Sequence, residues 1–198
     1  ASTSTNDFIF HYGTGLITTP ADGTVTTGKI QDGAVTAAKL DSGVALGKVL
    51  QVQTVNDNTQ TAAGSSGGVE ITELELSITP SSTSSKILVS LNLGLIGADS
   101  AADLGVQIKR TIGSGSASIL QAGSSGTTCT FVPVMSAIGG NSAFSGSHTL
   151  IDSPSTTSAC KYEVFINVNS GRTFSLNRRH ADTTFSSSSS MHLLEIGG

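Results

Sequence analysis

Lys86-Ile87-Leu88-Val89-Ser90-Leu91-Asn92-Leu93-Gly94-Leu95 is the stretch that decides the fold. Successive side chains of a strand point to opposite faces. Ile87, Val89, Leu91, Leu93 and Leu95 therefore share one face, and Leu88, Ser90, Asn92 and Gly94 the other. The same period of two recurs in Leu104, Val106 and Ile108 against Gln107 and Lys109. It recurs again in Cys160, Tyr162, Val164, Ile166 and Val168 against Lys161, Glu163 and Asn167. Val69 and Ile71 are out of phase with Leu74, Leu76 and Ile78, which predicts a bulge near Thr72-Glu73. Weaker strands are expected at 48–55, 130–138, 144–151 and 190–196. Turns are expected at Ala63 to Gly68, Gly113 to Ser116, Gly139-Gly140-Asn141 and Asp152-Ser153-Pro154. Eight or nine short strands without a convincing helix predict an all-β antiparallel sandwich, and their irregular spacing favours the jelly-roll form.

Composition agrees. Charged residues are 12% of the 198, about half the usual share. Gly, Ser and Thr fill their place, and these suit sheets and turns better than helices. A mean hydropathy of +0.12 argues against a disordered chain. The net charge of −4 gives no basic face for nucleic acid, and no run of about 18 apolar residues is present to span a membrane. Ala1 to Thr5 has neither the basic region nor the apolar core of a signal peptide, so none is expected. Cys129 and Cys160 are too few for a disulfide framework or a zinc site and are expected as reduced thiols buried in strands.

The N-terminal part differs in texture. Phe8-Ile9-Phe10-His11-Tyr12 holds three of the chain's nine aromatics. Phe8, Ile9, Phe10 and Tyr12 read either as a first strand on the domain's own core or as an anchor docking on another protein. Next, Asp22-Gly23-Thr24-Val25-Thr26-Thr27-Gly28-Lys29-Ile30 is echoed ten residues later by Asp32-Gly33-Ala34-Val35-Thr36-Ala37-Ala38-Lys39-Leu40. Asp-Gly sets a tight turn with positive φ at the glycine. Each unit offers only two aliphatics, Val25 and Ile30, then Val35 and Leu40, too few for one chain to form a core. Chains meeting about a common axis bury them against their copies, at roughly 1.5–3 kcal/mol per side chain. The expected organisation is an attachment segment at 1–20, a short extended oligomeric stalk at 21–46 and a sandwich head at 47–198.

Catalytic patterns are missing. His11, His148, His180 and His192 lack metal-ligand spacing, and no HExxH or Walker loop occurs; Gly64-Ser65-Ser66-Gly67-Gly68 matches GxSxG in its letters, but this Gly-rich stretch is read as a loop. Glu73 and Glu75 project from one strand face and could form a carboxylate pair of the kind glycan hydrolysis needs, but a solvated sheet face is the expected reading. Asp99 and Asp103 fall short of the six to eight oxygens of a calcium site. Arg178, Arg179 and His180, with Asp182 nearby, form a loop that suits an anionic glycan or a neighbouring carboxylate, or simply solvent. No enzyme activity, cofactor or metal is expected.

The tandem Asp-Gly-x-Val-Thr units resemble the decapeptide repeats of bacteriophage tail fibres, above all those of marine and cyanobacterial phages. Gly47-Lys48-Val49-Leu50-Gln51-Val52, the stretch from Ile78-Thr79-Pro80 to Val89, Asp152-Ser153-Pro154 onward and Met191-His192-Leu193-Leu194-Glu195-Ile196 are similar to segments of such fibres. The resemblance implies a homotrimeric virion protein assembled in the bacterial cytoplasm. Its N-terminus would attach to other virion proteins, and its β head would contact a host-surface glycan or protein. With only two repeats, a capsid decoration, cement or head-fibre protein is the alternative, and a glycan-degrading spike the third.

Overall fold

The computed structural model describes residues 22–40, 49–64, 68–99, 102–124, 128–134, 143–169 and 171–197. The chain divides into two units, Ala1–Leu46 and Gly47–Gly198. In the first, the two repeats fold alike. Gly23 and Gly33 take φ of 74° and 76°, as the Asp-Gly turns require. Single 3-10 turns follow at Thr27–Lys29 and Ala37–Lys39. Lys29 Nζ donates to the Thr24 carbonyl and Lys39 Nζ to the Ala34 carbonyl, each at 2.7 Å. The recurring lysine therefore closes its own repeat. The local conformation is a run of turns, where an extended segment was expected.

The second unit contains β1 (Val49–Asp57), β2 (Thr61–Gly64), β3 (Val69–Ile78), β4 (Lys86–Ala98), β5 (Leu104–Ile112) and β6 (Ser118–Ile119). These are followed by β7 (Phe131–Val134), β8 (Ala143–Asp152), β9 (Cys160–Val168), β10 (Thr173–Leu176) and β11 (Ser189–Ile196). All pairings are antiparallel. In one sheet β1 pairs β11, and β4 lies between β11 and β8. Beyond β11 the same edge of β4 pairs β10, which in turn pairs β2. In the other, the order is β3-β9-β5, with β6 and β7 end to end on the free edge of β5.

Counting β1 with β2, β6 with β7 and β10 with β11 as interrupted strands leaves eight. The first sheet then reads first, eighth, third, sixth, and the second reads second, seventh, fourth, fifth. That order is a jelly roll.

The inner faces meet in one core. Ile71, Leu74, Ile78, Leu104, Val106, Ile108, Tyr162, Val164 and Ile166 come from one sheet, and Ile87, Val89, Leu91, Phe174, Leu176, Met191 and Leu193 from the other. The phase slip in β3 is real and larger than one residue. Ile71 pairs Val164 and Glu75 pairs the adjacent Glu163, so Thr72, Glu73 and Leu74 bulge, which lets both Ile71 and Leu74 reach the core.

β4 departs from the expected alternation. Its register with β8 shifts between Leu93 and Ile96, and Ile96 is buried in place of Leu95. The cause lies at Gly94, where β11 gives way to β10. Gly94 N–H is taken by Ser189 Oγ at 3.0 Å and Leu95 N–H by Ser187 Oγ at 2.6 Å. A Cβ on Gly94 would strike Ser187. Strands β2, β6 and β10 were not expected, and β2 overlaps the turn placed from Ala63. They are short and owe their pairing to tertiary neighbours. Residues 135–138 and Gly139-Gly140-Asn141 lie outside the described residues. Both cysteines are free, Cys160 in β9 and buried, but Cys129 half-buried just before β7 and not in a strand.

Buried polar groups close the ends of the sandwich. Ile87 pairs Glu195 on one side and Asp152 on the other, both at inward positions. Asp152 receives Arg110 Nη1 on both oxygens at 2.7 and 2.8 Å, and Tyr162 donates its hydroxyl at 2.8 Å, tying one sheet to the other. Burial, then this carboxylate, pushes the Tyr162 phenol far up.

Glu195 accepts from Gln51 Nε2, Ser81 N–H and Ser81 Oγ at 2.7, 2.6 and 2.7 Å. Burial works to raise its pKa, but the Ser85 and Ser81 hydroxyls, the Gln51 amide and the Ser81 N–H together hold it down to about 2. Toward the other end, Asn177 sits fully buried at φ 62°. Its amide donates to the Asp57 carbonyl, Asp57 Oδ2 and the Thr59 carbonyl, and its Oδ1 accepts from Ser189 Oγ at 2.7 Å. Asn is among the few residues that tolerate this backbone region.

Two outcomes follow. Because the folded pKa of Glu195 lies below the ordinary carboxyl value, its contribution is complete above about pH 4.5 and is lost as pH falls toward 2. Urea denaturation across that range will show stability falling, and Glu195→Gln will flatten that part of the profile. Asn177→Ala removes the donor to Asp57 Oδ2 and the acceptor of the Ser189 hydroxyl, leaving each group one hydrogen bond short, and disfavours the backbone, so it will lower the unfolding free energy by about 1–3 kcal/mol.

Candidate assembly surfaces

With so few charges in the chain, their placement identifies the surfaces. Phe8, Ile9, Phe10 and Tyr12 lie outside the described residues. Val25, Ile30 and Val35 are 53%, 42% and 52% exposed, and Leu40 is half-buried. The turn geometry explains this: a ten-residue turn repeat closes on backbone and lysine contacts and encloses no volume in which an aliphatic could be buried.

The loop between β10 and β11 carries Arg178, Arg179 and His180. Arg178 Nη1 faces the carbonyls of Arg179, His180 and Asp182 at 3.2, 3.4 and 3.5 Å. Arg179 forms a fork on Asp182, Nε to Oδ1 at 3.1 Å and Nη2 to Oδ2 at 2.6 Å, and lies 4.9 Å over the Phe185 ring. The Thr184 N–H, then Arg179, hold Asp182 below the usual carboxylate range. His180 Nε2 meets Thr173 Oγ1 at 3.3 Å, and Asp99 Oδ2 accepts from Thr173 N–H and Oγ1. Both guanidinium groups thus face their own loop.

The outer face of the β3-β9-β5 sheet is charged. Glu70, Glu75 and Glu163 bring carboxylate oxygens within 4.8 Å of one another. Lys161 Nζ sits 2.6 Å from Glu163 and 3.4 Å from Glu75, which raises the lysine's pKa and neutralises part of the group. Lys109 Nζ lies 3.5 Å over the Phe165 ring. Pairing across β3 and β9 joins Glu75 to Glu163, a partnership that could not be read from β3 alone. Among the described residues, then, the one acidic cluster is a salt-bridged patch on a sheet face, and no catalytic constellation is assembled.

The outer face of the β1-β11-β4-β8 sheet is different. Register places Val52, Leu194, Leu88 and Ile151 in one row across four strands. Val52 and Ile151 are 56% and 58% exposed. Leu50 and Ile196 extend the row toward the strand ends, and the next row is Thr54, His192, Ser90 and Thr149. Thr54 Oγ1 and His192 Nδ1 share a hydrogen bond of 2.8 Å. Sequence reading missed this band because each strand contributes just one or two of its members.

No family model matches the chain, and no curated protein matches it. Solved structures do. The chain is similar to the VP2 subviral particle of infectious bursal disease virus, at 11% identity over 74% of this chain and 39% of that one, with a TM-score of 0.40. It is similar to the Gt strain of that virus at 13% identity over 74% and 40%, with a TM-score of 0.40. For the Gx strain the values are 14%, 75%, 37% and 0.39. The chain spans under half the length of these proteins.

These findings correct the resemblance read from the repeats. The structures named above are of infectious bursal disease virus and not of phage fibres, so the phage assignment is withdrawn. The physical reason is plain: an Asp-Gly turn, a closing lysine and two aliphatics are what a ten-residue turn repeat requires, whatever its origin.

The Arg179–Asp182 fork is local and exposed. Asp182→Asn will leave the melting temperature nearly unchanged, as an exposed pair permits. It will speed amide exchange over residues 178–187, measured by hydrogen–deuterium exchange.

Proposed function

We propose that this chain is a structural protein of a virion surface, a capsid-decoration subunit that works as a homotrimer and has no catalytic role. The observation that carries the reading is the exposure of Val25, Ile30 and Val35 in two repeats of identical geometry. Apolar side chains repeated at a fixed interval, with no volume of their own to fill, call for copies of the same chain. Residues 21–46 are the trimeric stalk in this reading, with Val25, Ile30, Val35 and Leu40 facing the axis. Residues 1–20 dock on the particle through Phe8, Ile9, Phe10 and Tyr12, and 47–198 project as the head.

The jelly roll supports this as a fold-level analogy, since viral capsid domains commonly use it. Loops at the head's ends are where a host glycan or protein would be met, with Arg178, Arg179 and His180 the candidates. That display role is secondary here, because both guanidinium groups are engaged within the loop.

A particle reconstruction tests the location: copies distributed over the capsid shell support decoration, and density confined to a tail or to a few vertices would sink it. Light scattering tests the trimer. The wild-type chain will run at three times 20.0 kDa. Val25→Ser, Ile30→Ser, Val35→Ser and Leu40→Ser combined will weaken association by roughly 3–6 kcal/mol per chain, taking half of about 1.5–3 kcal/mol for each side chain because each is already about half covered.

A further inference from the structure

We infer that the carboxylate-free outer face of the β1-β11-β4-β8 sheet is a second self-association surface, packed against the same face of the other copies of this chain about their common axis. The inference rests on the stalk reading for what brings the copies together, and on independent observations for the surface.

The first observation is segregation of charge. Outward positions of β1, β11, β4 and β8 carry no acidic residue, one histidine, His192, and one lysine, Lys86, at the end of β4, where its Nζ donates to Ser153 Oγ at 2.8 Å. The opposite sheet turns Glu70, Glu75, Lys109, Lys161 and Glu163 outward. A sandwich wetted equally on both sides has no reason for this asymmetry, whereas depletion of charge is the compositional mark of an interface core.

The second observation is the row itself. Val52, Leu194, Leu88 and Ile151 cross the sheet side by side, bordered by the hydrogen-bonded row of Thr54, His192, Ser90 and Thr149. An apolar row beside a polar row that holds no carboxylate, lysine or arginine can pack on its own copy. Lys86 stays at the rim, where its stem covers apolar surface and its ammonium stays wet.

The third is chain length. Eight residues separate Leu40 from Val49, a reach of at most about 30 Å. Copies joined through the repeats therefore hold their heads at an effective concentration of order mM. At that concentration a face too weak to associate between free molecules is still occupied. A face so poor in charge gives little electrostatic selection for a charged foreign partner, while its own copy is always within reach.

The test uses the full chain. Thr149→Cys places a thiol in the polar row, and its maleimide labelling is followed by mass spectrometry so that Cys129 and Cys160 are scored separately. Labelling in the assembled wild-type background will be slower than in the background carrying the four stalk serines, about tenfold for each ~1.4 kcal/mol of face association. Adding Val52→Lys and Ile151→Lys, both exposed and so tolerated by the fold, will restore the fast rate while the stalk keeps the mass trimeric.

Equal labelling in trimer and monomer would overturn the face and leave the stalk standing. Persistence of the trimer with four stalk serines, and its loss on adding the two lysines, would overturn the stalk and support the face. A wild-type monomer overturns both. Slow labelling in virions only, and not in the purified trimer, overturns the second copy as occupant and assigns the face to another virion protein.

Discussion

β4 is paired along both edges, and the sandwich is organised around that fact. On one edge it meets β8 from Ile87 to Gly97, and on the other it meets β11 as far as Asn92 and then β10 from Ile96. A central strand of thirteen residues must change partners because β10 and β11 are separated by the loop that carries Arg178 and Arg179. The exchange needs a place where ladder hydrogen bonds can pass to side chains. Gly94 and Leu95 supply it, giving their N–H groups to Ser189 and Ser187. Asn177 fixes the same junction from the other side, donating its backbone N–H to the Leu95 carbonyl at 2.7 Å. The buried face of β4 shifts by one residue there, and the core follows.

Polar groups inside the sandwich do the work that a longer chain would leave to more apolar area. Glu195 and Asp152 flank Ile87 and are each satisfied by several donors, so the cost of burying a charge is met by directed hydrogen bonds. These bonds join elements far apart in sequence: β11 to the 79–85 loop, and β8 to β5 and β9. They fix how the two sheets sit at one end, while Asp57, Asn177 and Ser189 fix the junction near the other. The outward charges, by contrast, collect on one sheet. The same scarcity of charge that makes each buried acid informative makes a carboxylate-free face informative too.

Much of the architecture was legible in the sequence. The alternation in β4, β5 and β9 needed no partner to be seen, and β9 was read at Cys160 to Val168 as it stands. The β3 bulge was visible as a phase error between Ile71 and Leu74. Glu195 carried a signal that could have been used, since it falls in phase with the buried Met191 and Leu193. Asp152 was equally in phase with Leu150 but was read as a turn. Strands β2, β6 and β10 were not legible, being four residues or fewer. Nor was the engagement of Arg179 with Asp182, which depends on a loop closing on itself.

What the sequence determined by itself is local: the period-two strands, the Asp-Gly turns, the repeated aliphatics and the lack of catalytic patterns. Each is set by interactions within about ten residues, so each could be read without knowing what lies across the sheet. Only the tertiary structure decided register. A strand shows which of its own faces is apolar, but Val52, Leu194, Leu88 and Ile151 become one surface only when four strands are aligned. The same holds for Glu75 beside Glu163 and for Arg110 beside Asp152. Cross-strand neighbours are chosen by pairing over separations of tens to more than a hundred residues, and no local pattern encodes that choice.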